Sequence, residues 1–402
     1  MDQNISNVIL QGECTGCGAC INICPGNALS YTHDVYGFIM PRINEDKCIS
    51  CGKCLKVCPA KNNKKQNVLE TYAAICYDED IRFHSSSGGL FGTIASFILK
   101  NGGIVYGCTM DKNFQVKHIR VDNIALLKTV MRSKYVQSDM GNVYLLIQQD
   151  LESGKTVLFS GTPCQVSAVN NYISEKLKEN LILIDIVCHG VPSQKLFDEN
   201  ISFLEKKYGK LQDYHFRAKK TVKNGMNWFF SFTDSTFHTH LYNWPEDTYN
   251  DLYMEAFTYR ESCYQCKYTT VNRVSDITLC DFWHWDEFTD KFGEDDTVSG
   301  LIINSSRGME IINRIKDHIK FVPVSIYDIA KYNSCLLKPS SRPHDQEKVI
   351  QFWKENGFAA LDAEYRKRNK KRILKGKIVR VMPRFVINFA ISIHKARKNG
   401  TK

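Results

Sequence analysis

Cysteines recur in the first sixty residues at a spacing that builds metal clusters. Cys14, Cys17 and Cys20 are followed by Cys24 and Pro25, and Cys48, Cys51 and Cys54 by Cys58 and Pro59. A cube of iron and sulfide needs converging thiolates. Three cysteines, each two residues from the next, wrap one cube from a single loop, while the fourth, set before proline, reaches the other cube. Cys14, Cys17, Cys20 and Cys58 are therefore expected on one 4Fe–4S cluster, and Cys48, Cys51, Cys54 and Cys24 on a second. Gly18 and Gly52 recur at the same place in each copy, where the backbone passes close to a cluster. Zinc sites ordinarily take two pairs of ligands rather than a run of four before proline, and disulfides do not account for a repeat in register. Adjacent clusters make an electron wire, so the chain reads as a redox protein.

A wire of this kind occupies only a small part of 402 residues, which leaves a core of several hundred residues for whatever it serves. Hydrophobic residues make up 43%, the share of a soluble globular protein. Sixteen cysteines, with no basic-then-apolar segment at the start, point to reduced thiols in a cytoplasm and away from export and disulfides. No run reaches the roughly 18 apolar residues of a spanning helix. The net charge of +10 is unevenly placed: residues 366–402 hold 14 lysines and arginines and no carboxylate, so the rest of the chain is at −4. The basic pI therefore belongs to the tail, and nucleic acid is not expected as a partner.

Residues 1–65 read as a ferredoxin-like module closed by the polar linker KNNKKQN. Beyond it, strand and helix patterns alternate. Residues 71–77 read as a strand, 90–100 as a helix after a glycine-rich turn, 103–110 and 115–121 as strands, and 143–151 as a helix. Strand 156–160, helix 166–178 and strand 181–187 follow. Residues 214–239 are aromatic and strand-like, and 300–305 and 307–319 give a last strand and helix. Such alternation predicts an α/β (α+β) domain, here over residues 70–345, with a basic helical tail at 346–402.

Five ordered motifs carry a resemblance: SSSGGLF from Ser85, SKYVQS from Ser133, GTPCQ from Gly161, CHGVPS from Cys188 and CYQCKYTTVNRVSDITLCDFW from Cys263. In these the chain resembles the beta subunit family of coenzyme F-420 hydrogenases and dehydrogenases, over most of residues 10–340. The resemblance implies a flavin-binding α/β domain that passes electrons between iron–sulfur clusters and a flavin. Some relatives reduce the deazaflavin coenzyme, and others act in anaerobes, including proteins linked with surface-polysaccharide synthesis. A flavin, FAD ahead of FMN, is expected against Ser85, Ser86, Ser87, Gly88 and Gly89, where glycine lets a ligand approach and amides at a helix start favour its phosphate. Lys134 is expected to neutralise that phosphate or pair with the reduced ring, Tyr135 to cover the ring and Gln137 to bond its edge. On the residues alone, the turn is also an ordinary helix cap, and Lys134 also a solvated lysine.

Cys263 and Cys266 form a close thiol pair. Cys164 follows one expected strand and Cys188 ends the next, and neighbouring parallel strands deliver their carboxyl ends to one side of a sheet. With the family behind it, this set predicts a third 4Fe–4S cluster on Cys164, Cys188, Cys263 and Cys266. A zinc knuckle and a redox-active CxxC are the rival readings. Cys280 is a spare thiol able to replace one of the four. His189, beside Cys188, is the candidate catalytic acid, ahead of His284 between two tryptophans. Cys76, Cys108 and Cys335 read as small core residues.

Two functions follow. One is an oxidoreductase fed by a ferredoxin or another low-potential donor, delivering electrons through clusters and flavin to an unidentified small-molecule or lipid-linked substrate. The other is an electron-transfer subunit with no substrate of its own. The tail adds a membrane expectation. Residues 366–380 carry nine basic side chains, Pro383 follows, and Phe385, Val386, Phe389, Ala390 and Ile393 recur at helical spacing between Arg384 and Lys395. A basic segment leading into a short apolar helix suits contact with an anionic surface, here the inner face of the membrane. A helix docked on the body, with its basic run solvated, is the other reading.

Overall fold

Each cysteine run bends through a left-handed glycine into a short helix. Gly18, at φ 77°, precedes α1 (Ala19–Asn22), and Gly52, at φ 71°, precedes α2 (Lys53–Val57). A Cβ at Gly18 would run into the Tyr31 ring, so the turn admits only glycine. Between the two helices lies a hairpin, β1 (Leu29–His33) and β2 (Ile39–Ile43), paired antiparallel from Leu29–Ile43 to His33–Ile39. Here and below the structure is a computed structural model, which describes residues 4–219, 229–382 and 386.

The body follows in the order β3 (Glu70–Cys76), α3 (Leu90–Lys100), β4 (Ile104–Met110), β5 (Val116–Val121), α4 (Val143–Glu152), β6 (Val157–Gly161), α5 (Pro163–Tyr172), β7 (Leu181–Ile186) and α6 (Gln194–Tyr208). Then come β8 (Asp213–Ala218), β9 (Phe229–Thr233), β10 (Thr239–Asn243), α7 (Thr248–Met254), β11 (Ile277–Asp281), β12 (Ser299–Ile303), α8 (Ser306–Ile315), β13 (Ile319–Pro323), α9 (Gln346–Arg368) and α10 (Lys370–Val381). Eight strands make one mixed sheet in the order β13-β3-β12-β11-β7-β6-β4-β5. Its centre, β11-β7-β6-β4, is parallel, and antiparallel pairs flank it. The fold is thus mixed α/β, as the alternating pattern predicts.

The central strands are apolar on both faces, as strands covered on two sides must be. Val105, Leu158, Ile182 and Ile184 face α3 and α8, packing on Ile94, Ile98, Ile311 and Ile315. Ile104, Tyr106, Phe159, Leu181 and Leu183 face the other way, onto Tyr144 and Ile147 of α4 and Val166 and Val169 of α5. Cys17, Ala19 and Val57 of the cysteine module join this second layer, so the module is packed against the sheet's helices and not merely tethered. A separate antiparallel sheet, β10-β9-β8, forms the aromatic stretch and packs on α6, α7 and α9 through Tyr214, Phe216, Phe197, Tyr249 and Trp353.

Some boundaries depart from the sequence reading. The helix expected at 166–178 starts at Pro163, because Thr162 and Gln165 close a capping box there. It ends at Tyr172, and the charged EKLKEN stretch forms a separate 3-10 turn. The helix expected at 307–319 stops at Ile315, and Ile319–Pro323 is instead the edge strand β13, where a terminal proline costs no ladder bond. β11 lies hidden inside the longest cysteine motif. The tail is helical through α10, while Pro383, Arg384, Phe385, Phe389, Ala390, Ile393 and Lys395 lie outside the described residues.

Candidate cluster and cofactor site

All sixteen cysteines are free thiols. In the N-terminal module they sort into two crossed groups. Cys24 lines one small void together with Cys48, Cys51 and Cys54. Cys58 is held instead beside the first run. Burial pushes the Cys58 thiol up to about 12, and Cys17 and Cys14 are the charges that add to it. Cys20 is raised well above the ordinary range by burial, then by Cys17, Cys14 and Cys58 and last by Cys54 of the other group. The amides of Gly16 and Ala28 donate to the sulfurs of Cys14 and Cys24 at 3.4 and 3.3 Å. Cys51 is exposed to solvent.

The first group sits at the seam with the body. The Tyr144 hydroxyl donates to the Cys17 carbonyl and the Tyr268 hydroxyl to that of Pro59, both at 2.8 Å. Arg260, 4% exposed, donates to the carbonyls of Cys14 at 2.7 Å and Ile39 at 3.0 Å and lies over the Phe38 ring. Gln137, expected at a flavin edge, spends its amide on the same seam. It accepts from the Ile39 amide at 3.0 Å and donates to the Thr15 carbonyl at 3.4 Å. Its side chain thus helps dock the module, and Gln137 also lines the cavity described next.

β6 and β7 are parallel neighbours. Cys164 stands in the first turn of α5 just beyond β6, and Cys188 lies just past the end of β7. Cys263 is within the turn Glu261–Gln265, and Cys266 ends it. All four line one cavity of about 650 Å³. The Cys188 thiol is raised by burial first and then by Cys263, Cys164 and Cys266. Burial pushes Cys164 up to about 11 and Cys263 to about 12. Cys164 in turn is one of the charges felt by Cys17, so this group adjoins the first. Cys280 reaches the cavity, but its charged neighbours are Asp281, Arg273 and Asp185 and none is a thiol.

The rest of the wall gathers the turn and the lysine. Ser85, Ser86, Ser87 and Gly89 line the cavity, as do Lys134, Tyr135 and Gln137, whereas Gly88 is turned into the sheet with its amide on Ser299 Oγ at 2.9 Å. Gly89, at φ 91°, starts α3, and a Cβ there would strike Cys76. Ser86 Oγ accepts from the Ser133 amide at 2.9 Å, which ties the first motif to the second. Lys134 Nζ donates to the carbonyls of Met131 at 2.6 Å and Thr129 at 3.2 Å, and burial brings it down to about 8. Tyr135 is stacked on Tyr253 with centroids 4.4 Å apart, so its ring has a protein partner of its own.

His189 also lines the cavity, next to Cys335. Burial works against the imidazolium, but a hydrogen bond to the Cys335 sulfur and the Asp281 carboxylate outweigh it and hold His189 above its usual value. Cys335 is buried, as expected of a small core residue, with its sulfur beside His189. His284 is not on the wall and packs against Tyr332, 4.4 Å between centroids. Sequence reasoning also missed Arg217 and Lys219. Arg217 pairs with Asp281 at 2.6 Å and lies over Trp283. Lys219 donates to the carbonyls of Arg82 at 2.7 Å and Ser87 at 2.8 Å, and burial brings it down to about 7. Both come from the end of β8, where the alternation DYHFRAK was the available signal.

No curated protein matches the chain. Residues 154–326 match the family of the C-terminal domain of the coenzyme F420 hydrogenase/dehydrogenase beta subunit, and residues 13–62 match the 4Fe-4S dicluster domain. Among solved structures the chain is similar to one from the xenon-derivatised F420-reducing NiFe hydrogenase complex of Methanosarcina barkeri, at 14% identity and a TM-score of 0.47, over 72% of this chain and 94% of that one. The crossed cysteine groups and the two family matches together make this chain an iron–sulfur electron-transfer protein related to the coenzyme F420 hydrogenase/dehydrogenase beta subunit, with a 4Fe-4S dicluster domain ahead of the matched C-terminal domain.

Proposed function

We propose that the chain is an iron–sulfur flavoprotein oxidoreductase, with an electron entry at the Cys51 face and an organic substrate reduced at the cavity. The observation that supports it most is the single file of thiols. Cys24, Cys48, Cys51 and Cys54 share a small void at one end, where Cys51 is exposed, Cys14, Cys17, Cys20 and Cys58 lie at the seam, and Cys164, Cys188, Cys263 and Cys266 open onto the cavity. Each set would hold one 4Fe–4S cluster. Among the described residues no three or more ligating side chains close around a single ion. The last four thiols face a void, which suits a cube better than one zinc. Clusters supply single-electron transfer, and a flavin supplies the exchange between one electron and two.

The cavity fits a flavin on its own chemistry. At about 650 Å³ it falls within the roughly 300–1,000 Å³ of cofactor pockets. The start of α3 and the Lys134 ammonium provide for a phosphate. Arg217, held by Asp281, puts a cation on the same wall, which would offset the negative charge of a reduced flavin. His189 lines the same space and can hand a proton to a substrate. A place in surface-polysaccharide synthesis follows from the resemblance alone.

Anaerobically reconstituted protein offered FAD or FMN tests the reading. Retained flavin that reduced ferredoxin bleaches is expected, and protein that takes up neither flavin overturns it. A second reading, an electron-transfer subunit without its own substrate, is favoured by the beta-subunit description of the matched family. A large partner that copurifies and is required for stability would support that reading instead.

A further inference from the structure

The outer face of α10 carries an apolar stripe that no described part of the chain covers. Leu374, Ile378 and Val381 stand at i, i+4 and i+7 and so share one face. They are 59%, 44% and 75% exposed, and Met382 beside them 39%. The opposite face already holds the helix on the body. Ile373 is buried, Gly376 abuts Pro245, Asn243 Nδ2 donates to the Gly376 carbonyl at 2.7 Å, and Arg372 pairs with Asp251 and Glu255. Docking on the body therefore leaves the stripe over.

What borders the stripe says what would cover it. At 3.6 residues per turn, Lys370 and Lys377 lie along one edge and Lys371 and Lys375 along the other, all exposed. No carboxylate occurs from residue 366 to 402. Lysines flanking short apolar side chains match the boundary layer of an anionic bilayer, where the apolar tips enter the acyl region and the ammonium groups snorkel to phosphates. No helix among the described residues is long and apolar enough to cross a membrane. We infer that α10 is a membrane-surface anchor whose outer face lies in the headgroup layer of an anionic bilayer. This goes beyond the redox reading and does not depend on it.

The test is co-sedimentation of the full, anaerobically reconstituted chain with vesicles of phosphatidylcholine alone or mixed with phosphatidylglycerol. At low salt, binding to the anionic vesicles is expected at least tenfold above the neutral ones, and it falls as salt rises. Leu374→Asp combined with Ile378→Asp lowers binding at least tenfold, with iron content and melting temperature unchanged. Leu374→Ala with Ile378→Ala gives an intermediate loss. Wild-type protein left in the supernatant with anionic vesicles at low salt overturns the inference, as does an aspartate variant that pellets like wild type. So does a lipid-free dimer that the aspartate variant splits, since the stripe then belongs to a second copy.

Discussion

Lys134 is where the flavin reading is most exposed to failure. Its ammonium rests on two carbonyls, and burial holds it near 8, below the 10.5 of an ordinary lysine. The charge is present at pH 7 and is lost as pH rises through about 8. Between those two values the unfolded chain keeps the proton and the folded one does not, so this residue's contribution to stability grows with pH across that window. Retention of an anionic ligand runs the other way, because the attracting charge disappears. Flavin retention by ultrafiltration is therefore expected to fall above pH 8, with a midpoint moved upward by the bound anion. Lys134→Ala removes a charged hydrogen-bond donor worth about 1.5–3 kcal/mol, roughly a ten- to hundredfold weaker retention, flat with pH and with iron unchanged. An unaltered profile in the variant would detach Lys134 from the flavin. The residue scale also shows what a sequence withholds. The crossed cysteine sets were readable because their spacing is local. The partners of Gln137 and Cys335 were not, because Ile39 and His189 come from distant segments.

At the scale of elements, the alternating pattern located the central strands because each is apolar on both faces and bounded by turns. It failed where a strand hid inside a motif, as β11 did, and where the charged EKLKEN turn was absorbed into a helix. The third cysteine set was legible through that same strand order: β6 and β7 do lie parallel and adjacent, and that places Cys164 and Cys188 on one side. The seam between module and body was not legible, since its chief fastener, Arg260, sits in no periodic pattern. Its side chain is buried and donates to two carbonyls of the module. Arg260→Ala leaves those carbonyls without their donor at a cost of about 2–4 kcal/mol. The expected result is release of the module by trypsin at Lys64 or Lys65 at least tenfold faster than in wild type. Arg260→Lys restores little, because one ammonium does not reproduce the fork. Cleavage at the wild-type rate in Arg260→Ala would show that Tyr144, Tyr268 and the apolar layer hold the module without it.

For the whole molecule, the question is whether the thiol file carries three cubes or two. Burial holds Cys17 near 11, Cys58 near 12 and Cys263 near 12, so these thiols are protonated at neutral pH until iron arrives, and loading must expel protons. Reconstitution is accordingly expected to proceed faster at pH 9 than at pH 7, with acid released in proportion to iron bound. At completion the protein should hold about twelve irons, four for each cube. Cys263→Ser should bring that to about eight and leave the module's pair intact, because Cys263 is not among that pair's ligands. The electronic spectrum tells the variant from simple misfolding: the two remaining clusters keep their absorbance and still accept electrons from dithionite, while any flavin in the cavity no longer receives them at the wild-type rate. About eight irons in the wild type would remove the third cluster and leave a gap between Cys17 and the cavity. Stoichiometric zinc would fill that gap with a metal unable to carry an electron, and the chain would then transfer charge at the module alone.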